Sequence, residues 1–92
     1  MKHHTLHIQL SGVEGSVIRA LGLIERRGYS LESCTVSKAD ADGRRMEVSV
    51  TSSRPGDLLK RQLERLHDVF HVELKPAVTE QNAAIRPAIR RK

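Results

Sequence analysis

Apolar and polar positions change period along the chain, and each change marks an element. Leu6, Ile8 and Leu10 alternate with His7 and Gln9, the period-two pattern of a half-buried strand over residues 5–10. The glycine turn Ser11-Gly12-Val13-Glu14-Gly15-Ser16-Val17 follows. From Val17 the apolar positions become Val17, Ala20, Leu21 and Ile24, widened by Ile18 and Leu23, which is a helical stripe. Gly28 directly after Arg26-Arg27 is a stop signal, with basic residues at the negative end of the helix dipole. This predicts a helix over about residues 14–27.

Leu31 to Ser37, "LESCTVS", suits a strand. "ADADG" at 39–43 is a turn, and Met46, Val48 and Val50 alternate with Glu47, Ser49 and Thr51. A hairpin with strands at about 31–38 and 44–51 is expected. "SSRPGD" at 52–57 opens a second helix, with Pro55 at its first position and Asp57 complementing the dipole. Leu59, Leu63 and Leu66 form its stripe, with Leu58 beside it. Phe70, Val72 and Leu74 alternate with His71 and Glu73 in a last strand. The order β-α-β-β-α-β predicts an α+β, ferredoxin-like domain, a four-stranded antiparallel sheet with both helices on one face. Residues 1–75 make that domain. Residues 76–92 are expected to be a basic tail, flexible or ordered only on a partner.

Ninety-two residues make one small domain, marginal alone, for which pairing with a second copy is expected. No apolar run approaches a membrane span, and the N-terminus lacks a signal-peptide core. A cytoplasmic location is therefore expected. The single cysteine, Cys34, has no internal disulfide partner and reads as a small buried apolar residue. The net charge of +5 invites a nucleic-acid reading. Its distribution does not support it: residues 1–75 carry a balance of +2, and the short tail holds +3. The same element order occurs in the RNA-recognition module, whose central strands present stacking aromatics. Here those strands have none, so nucleic acid is not an expected partner.

Chemistry is equally sparse. His67 and His71 lie four apart, but the period switches from helix to strand near Asp68, so they do not share a helix face. His3, His4 and His7 have no set of cysteines or carboxylates to complete a metal site. No triad, Walker loop or dinucleotide fingerprint is present.

Two runs carry a resemblance. "GLIERRGYSLES" at 22–33 and "RQLERLHDV" at 61–69, in this element order, resemble the ACT domain of the small regulatory subunits of acetolactate synthase. The resemblance spans about residues 5–75. A chain ending about 17 residues after its last strand resembles the short, isozyme II type, in which the ACT domain stands almost alone. The resemblance implies a non-catalytic chain that binds and activates a large catalytic subunit in valine, leucine and isoleucine synthesis. Thiamine diphosphate, Mg and FAD belong to that large subunit, and none is expected here. A homodimer through the ACT domain is implied too.

In valine-sensitive members of that family, asparagines and a loop glycine hold valine between one subunit's first loop and the start of its neighbour's second strand. By that resemblance Gly15, with Ser16 and Val17 at the helix N-terminus, is the cradle, while Gly12 and Ser30 stand where asparagines would be. Weak or absent valine feedback is the expectation. Arg26, Arg27, Tyr29 and Glu32 are the candidate exposed or semi-exposed contacts to the large subunit. The alternative is a free-standing ACT module that senses an amino acid and controls another enzyme or a regulator.

Overall fold

The computed structural model describes residues 2–75; the expected basic tail at 76–92 lies outside the described residues. Six elements follow in order: β1 (Lys2–Leu10), α1 (Ser16–Arg26), β2 (Ser30–Val36), β3 (Arg44–Ser52), α2 (Gly56–Glu64) and β4 (Val69–Leu74). The strands form one antiparallel sheet in the order β2-β3-β1-β4. This is the expected α+β, ferredoxin-like arrangement. β1 begins earlier than its apolar alternation does, because Lys2–His4 pair with Val50–Ser52 of β3 whatever their side chains. Pro55 stands just before α2 in an extended conformation, with φ −67° and ψ 143°, one residue outside the helix it was expected to open.

Alternation on the strands places Leu6, Ile8, Leu10, Met46, Val48, Val50 and Val72 on one face. Ala20, Leu23 and Ile24 of α1, Leu59 and Leu63 of α2, and Tyr29 close over it. Both helices therefore share that face. The opposite face carries Thr5, His7, Gln9, Thr35, Arg45, Glu47, His71 and Glu73 and stays wet. Leu6, Leu10, Leu59 and Leu63 are fully buried, and truncating one such leucine to alanine costs about 2–5 kcal/mol.

The two ends of α1 are built differently. At its end, Gly28 adopts a left-handed φ of 90°. Its N–H donates to Glu25 O at 3.1 Å, and the Tyr29 N–H donates to Ile24 O at 3.2 Å. These are the paired bonds of a Schellman motif, in which the residue after the glycine packs back onto the helix. At its start, Gly15 also has a left-handed φ of 90°, and no side chain caps the first turn. That turn therefore keeps part of its amide-donor capacity.

Candidate functional site

The loop Ser11–Gly15 leads from the end of β1 to the start of α1, and its residues 12–15 line a shallow cavity of about 300 Å³. Gly12, Gly15, Ser16 and Val17 line it together with Val13, Ile18, Val36 and Arg44. The loop's polar groups largely satisfy one another. Ser16 Oγ donates to Ser11 O at 2.7 Å, and Val13 N donates to Ser11 Oγ at 3.0 Å. Ser16 is buried, so its hydroxyl serves the loop and not a ligand. Ser11 N donates to Asp68 O at 2.7 Å. The Asp68 carboxylate accepts Arg19 Nε at 2.6 Å, and a side chain at Gly15 would meet that guanidinium. Arg44, half-buried and donating to Ser37 O at 3.2 Å, puts a cation at the rim. Arg44 and Val36 were not among the expected site residues. Both lie at strand ends that only the hairpin's register brings to the loop.

Ser30 is not part of this cavity. It pairs with Thr51 at the opposite end of β2, whereas Val36 lies at the cavity. Six residue steps of strand separate the two positions, about 20 Å. Within one chain, then, the two halves of the expected valine site are apart. β2 is an edge strand with a neighbour on one side only. In an antiparallel pairing with a second β2 centred on Ser33, Ser30 of one copy would come beside Val36 of the other.

Of the expected contact residues, Arg26, Arg27 and Glu32 are exposed. Tyr29 is not: it is 2% exposed, and the expectation of an exposed or semi-exposed contact there is corrected. Its ring is the apolar residue of the Schellman motif, and its hydroxyl donates to Pro55 O at 2.6 Å. Burial pushes the phenol above its ordinary pKa, against the opposing pull of the Arg54 charge and a backbone bond from Leu59. Cys34 reverses its expectation in the other direction. It shares the face of Val48, with which it pairs, yet is exposed because the flank of β2 has no neighbour. Partial burial raises its thiol pKa, which disfavours the thiolate.

His67 lies in the turn after α2 and His71 in β4, so they are on different elements, as the period switch predicts. Among the described residues no group of three or more His, Cys, Asp or Glu could hold a metal ion. No described helix is long and apolar enough to cross a membrane.

The β-α-β-β-α-β order, with both helices on one face of the sheet, defines a ferredoxin-like domain. The family model described as "ACT domain" matches residues 12–72, and the chain belongs to the ACT domain family. Within it, the chain is similar to small subunits of acetolactate synthase. The isozyme 2 small subunit of Escherichia coli K12 is 31% identical over 80 residues, covering 86% of this chain and 92% of that protein. The chloroplastic small subunit 2 of Arabidopsis thaliana is 32% identical over 78 residues, and the chain spans 16% of its length. The crystal structure of a small subunit from Thermotoga maritima superposes with a TM-score of 0.74 at 21% identity, over 87% of this chain and 51% of that one. That likeness concerns the fold.

Proposed function

We propose that this chain is a non-catalytic regulatory subunit that binds and activates the catalytic subunit of acetolactate synthase. The observation that carries the reading is the alignment with the Escherichia coli isozyme 2 small subunit, which takes in nearly the whole of both proteins. Thiamine diphosphate, Mg and FAD would reside in the catalytic subunit. An activator of this kind works by binding the competent arrangement of its partner more tightly, and a difference of about 1.4 kcal/mol shifts that equilibrium tenfold. A coupled assay of purified catalytic subunit, with and without the 92-residue chain, tests it. A saturable rise in activity is expected, and an unchanged rate at saturating chain would overturn the reading.

The reading includes a homodimer joined through the β2 edges. Its support is the unpaired edge of β2, the exposed Ile18 and Cys34 beside it, and the separation of Ser30 from the cavity it would complete in a second copy. Sedimentation at micromolar concentration is expected to give twice the chain mass; a monomer there would remove the dimer from the reading. Valine regulation is expected to be weak or absent, because Gly12 offers no side chain and Ser30 a short one. Calorimetry with millimolar valine checks this, and saturable micromolar binding would contradict it.

A further inference from the structure

The end of α1, the start of β1 and the β3–α2 connection meet at one pole of the domain, and cations gather there. Arg26 and Arg27 close α1, Arg54 lies in the connection, and Lys2 pairs across the sheet with Ser52 at its root. All four are exposed. None takes part in an ion pair among the described residues; Lys38, Arg44, Arg45 and Arg65 have none either but lie toward the far ends of β2, β3 and α2, and Arg19, Lys60, Arg61 and Lys75 each have a carboxylate within 4 Å. The carboxylates nearby do not offset them. Asp57 is engaged by Arg61, Glu32 accepts the Thr51 hydroxyl on the open face, and Glu25 alone stands on α1 beside the arginines.

This pole is also rigidly assembled. A side chain at Gly28 would meet Arg54 Nε at 2.9 Å, so the arginine lies against the turn that follows Arg27. Ser52, 2% exposed, donates to Gly28 O at 3.0 Å and accepts Arg54 N at 3.1 Å. Tyr29 holds Pro55 O, and His4 Nε2 lies 3.1 Å from Arg54 O. Two buried side chains and a ring thus fix the backbone from which Arg54 projects, next to Arg27. The guanidinium of Arg26 folds back towards Gly22, which extends the charge along α1. Arginines placed on an immobile backbone lose less freedom when they engage carboxylates, and they match a carboxylate's geometry in pairs. The open face of the sheet differs: there Glu47 lies 3.4 Å from His7, and Glu73 faces His7 across the sheet.

Resting on the regulatory-subunit reading above, we propose that this pole, with Arg27 and Arg54 at its centre and Lys2 and Arg26 at its rim, docks an acidic, carboxylate-bearing surface of the catalytic partner. A protein surface fits better than a nucleic acid. The patch is confined to one end of a small domain, has Glu25 within it, and has no exposed aromatic beside it. The exposed ring, Phe70, lies at the other pole against Gly43.

The test uses the full chain and purified acetolactate synthase catalytic subunit, with binding read by titration of the activity and by direct association kinetics. The double variant Arg27→Glu/Arg54→Glu is expected to need at least tenfold more chain for half-maximal activation, mainly through slower association. Arg45→Glu, on the open face, is expected to titrate as the wild type does. Raising NaCl from about 50 to about 500 mM should weaken the wild type strongly and the double variant little. Because Arg27→Gln/Arg54→Gln removes charge without adding repulsion, it should fall between the two and keep the wild-type melting temperature, which separates docking from misfolding. Equal titration of the wild type and the charge-reversed variant overturns this placement while leaving the regulatory reading intact. An equal loss in Arg45→Glu also overturns it. Tighter retention of duplex DNA than of the catalytic subunit overturns it in favour of nucleic acid. A wild type that neither binds nor activates the catalytic subunit overturns both.

Discussion

The two ends of α1 use the same device, a glycine with φ 90°, to opposite effect. At the start of the helix, Gly15 sits in a loop whose bonds are mostly internal, with Gly12, Val13 and Glu14 exposed and no side chain capping the turn. At the end, Gly28 is followed by a buried Tyr29 and is tied by hydrogen bonds to the connection before α2. One end leaves its first-turn amides without a side-chain cap. The other is fixed and carries charge outward. In a small domain with little core to spare, local stability is unevenly distributed, and adaptable sites are drawn from its weaker parts.

The largest expected effect comes from cutting the fixed end. Tyr29→Ala removes a fully buried ring and should lower unfolding stability by about 3–5 kcal/mol, as aromatic truncations in cores do. Chemical denaturation measures it, and a loss under about 1 kcal/mol would show that the pole is not anchored by this ring. The phenol adds a pH dependence. Its folded pKa is raised above the ordinary 10.0 by burial. The protonated form is therefore favoured by folding, and that contribution is complete below pH 10 and lost as pH climbs from there through the folded value. Tyr29→Phe should flatten this alkaline fall; an unchanged fall would assign it to other groups.

Next in size is Ser52→Ala. The hydroxyl bridges Gly28 O and Arg54 N from a buried position. Its loss leaves groups at a partly buried turn without a partner, at a cost of about 1–3 kcal/mol. The same variant should weaken docking of the catalytic subunit if the fixed backbone is what positions Arg54. Hydrogen exchange is the sharper readout: the amide of Arg54, which donates to the Ser52 hydroxyl, should exchange faster, while those of loop 11–15 should not change.

This division was only half visible in the chain. The β-α-β-β-α-β order follows from periods of apolar residues, which report which side of an element faces a core. Gly28 as a helix stop follows from local backbone chemistry. Tyr29, two residues after Arg26-Arg27, reads from the sequence as part of a polar helix end. The signal that could have placed it is the Schellman pattern, in which the residue after the glycine packs back onto the helix, here with its N–H on Ile24 O. Cys34 failed for a different reason. Its face was right, but exposure depends on β2 being an edge, a property of strand order that no local pattern encodes. The contribution of Arg44 and Val36 to the cradle is likewise a matter of register. Arg54 lies in a loop whose partner, Gly28, is 26 residues away.

The smallest effect on stability, and the sharpest on the loose end, is expected from restoring side chains where the resemblance places asparagines. Gly12 is not among the glycines with left-handed φ, so its backbone accepts other residues. A Cβ there would lie 3.3 Å from that of Ala39, an exposed residue before the hairpin turn that need move only a few tenths of an ångström. Ser30 is exposed at the start of β2. Gly12→Asn and Ser30→Asn should each change stability by no more than about 0.5 kcal/mol. Together they would return two hydrogen bonds to a charged ligand, each worth about 1.5–3 kcal/mol, so valine affinity should rise about a hundredfold or more. In the proposed dimer Ser30 completes the cavity of a second copy, so the gain should vanish when the chain is diluted below its dimer constant. A double variant that is dimeric yet still binds no valine would show that the cradle differs in backbone as well as side chains, with the Ser16–Ser11 bond and the Arg19 guanidinium beside Gly15 as the next groups to release.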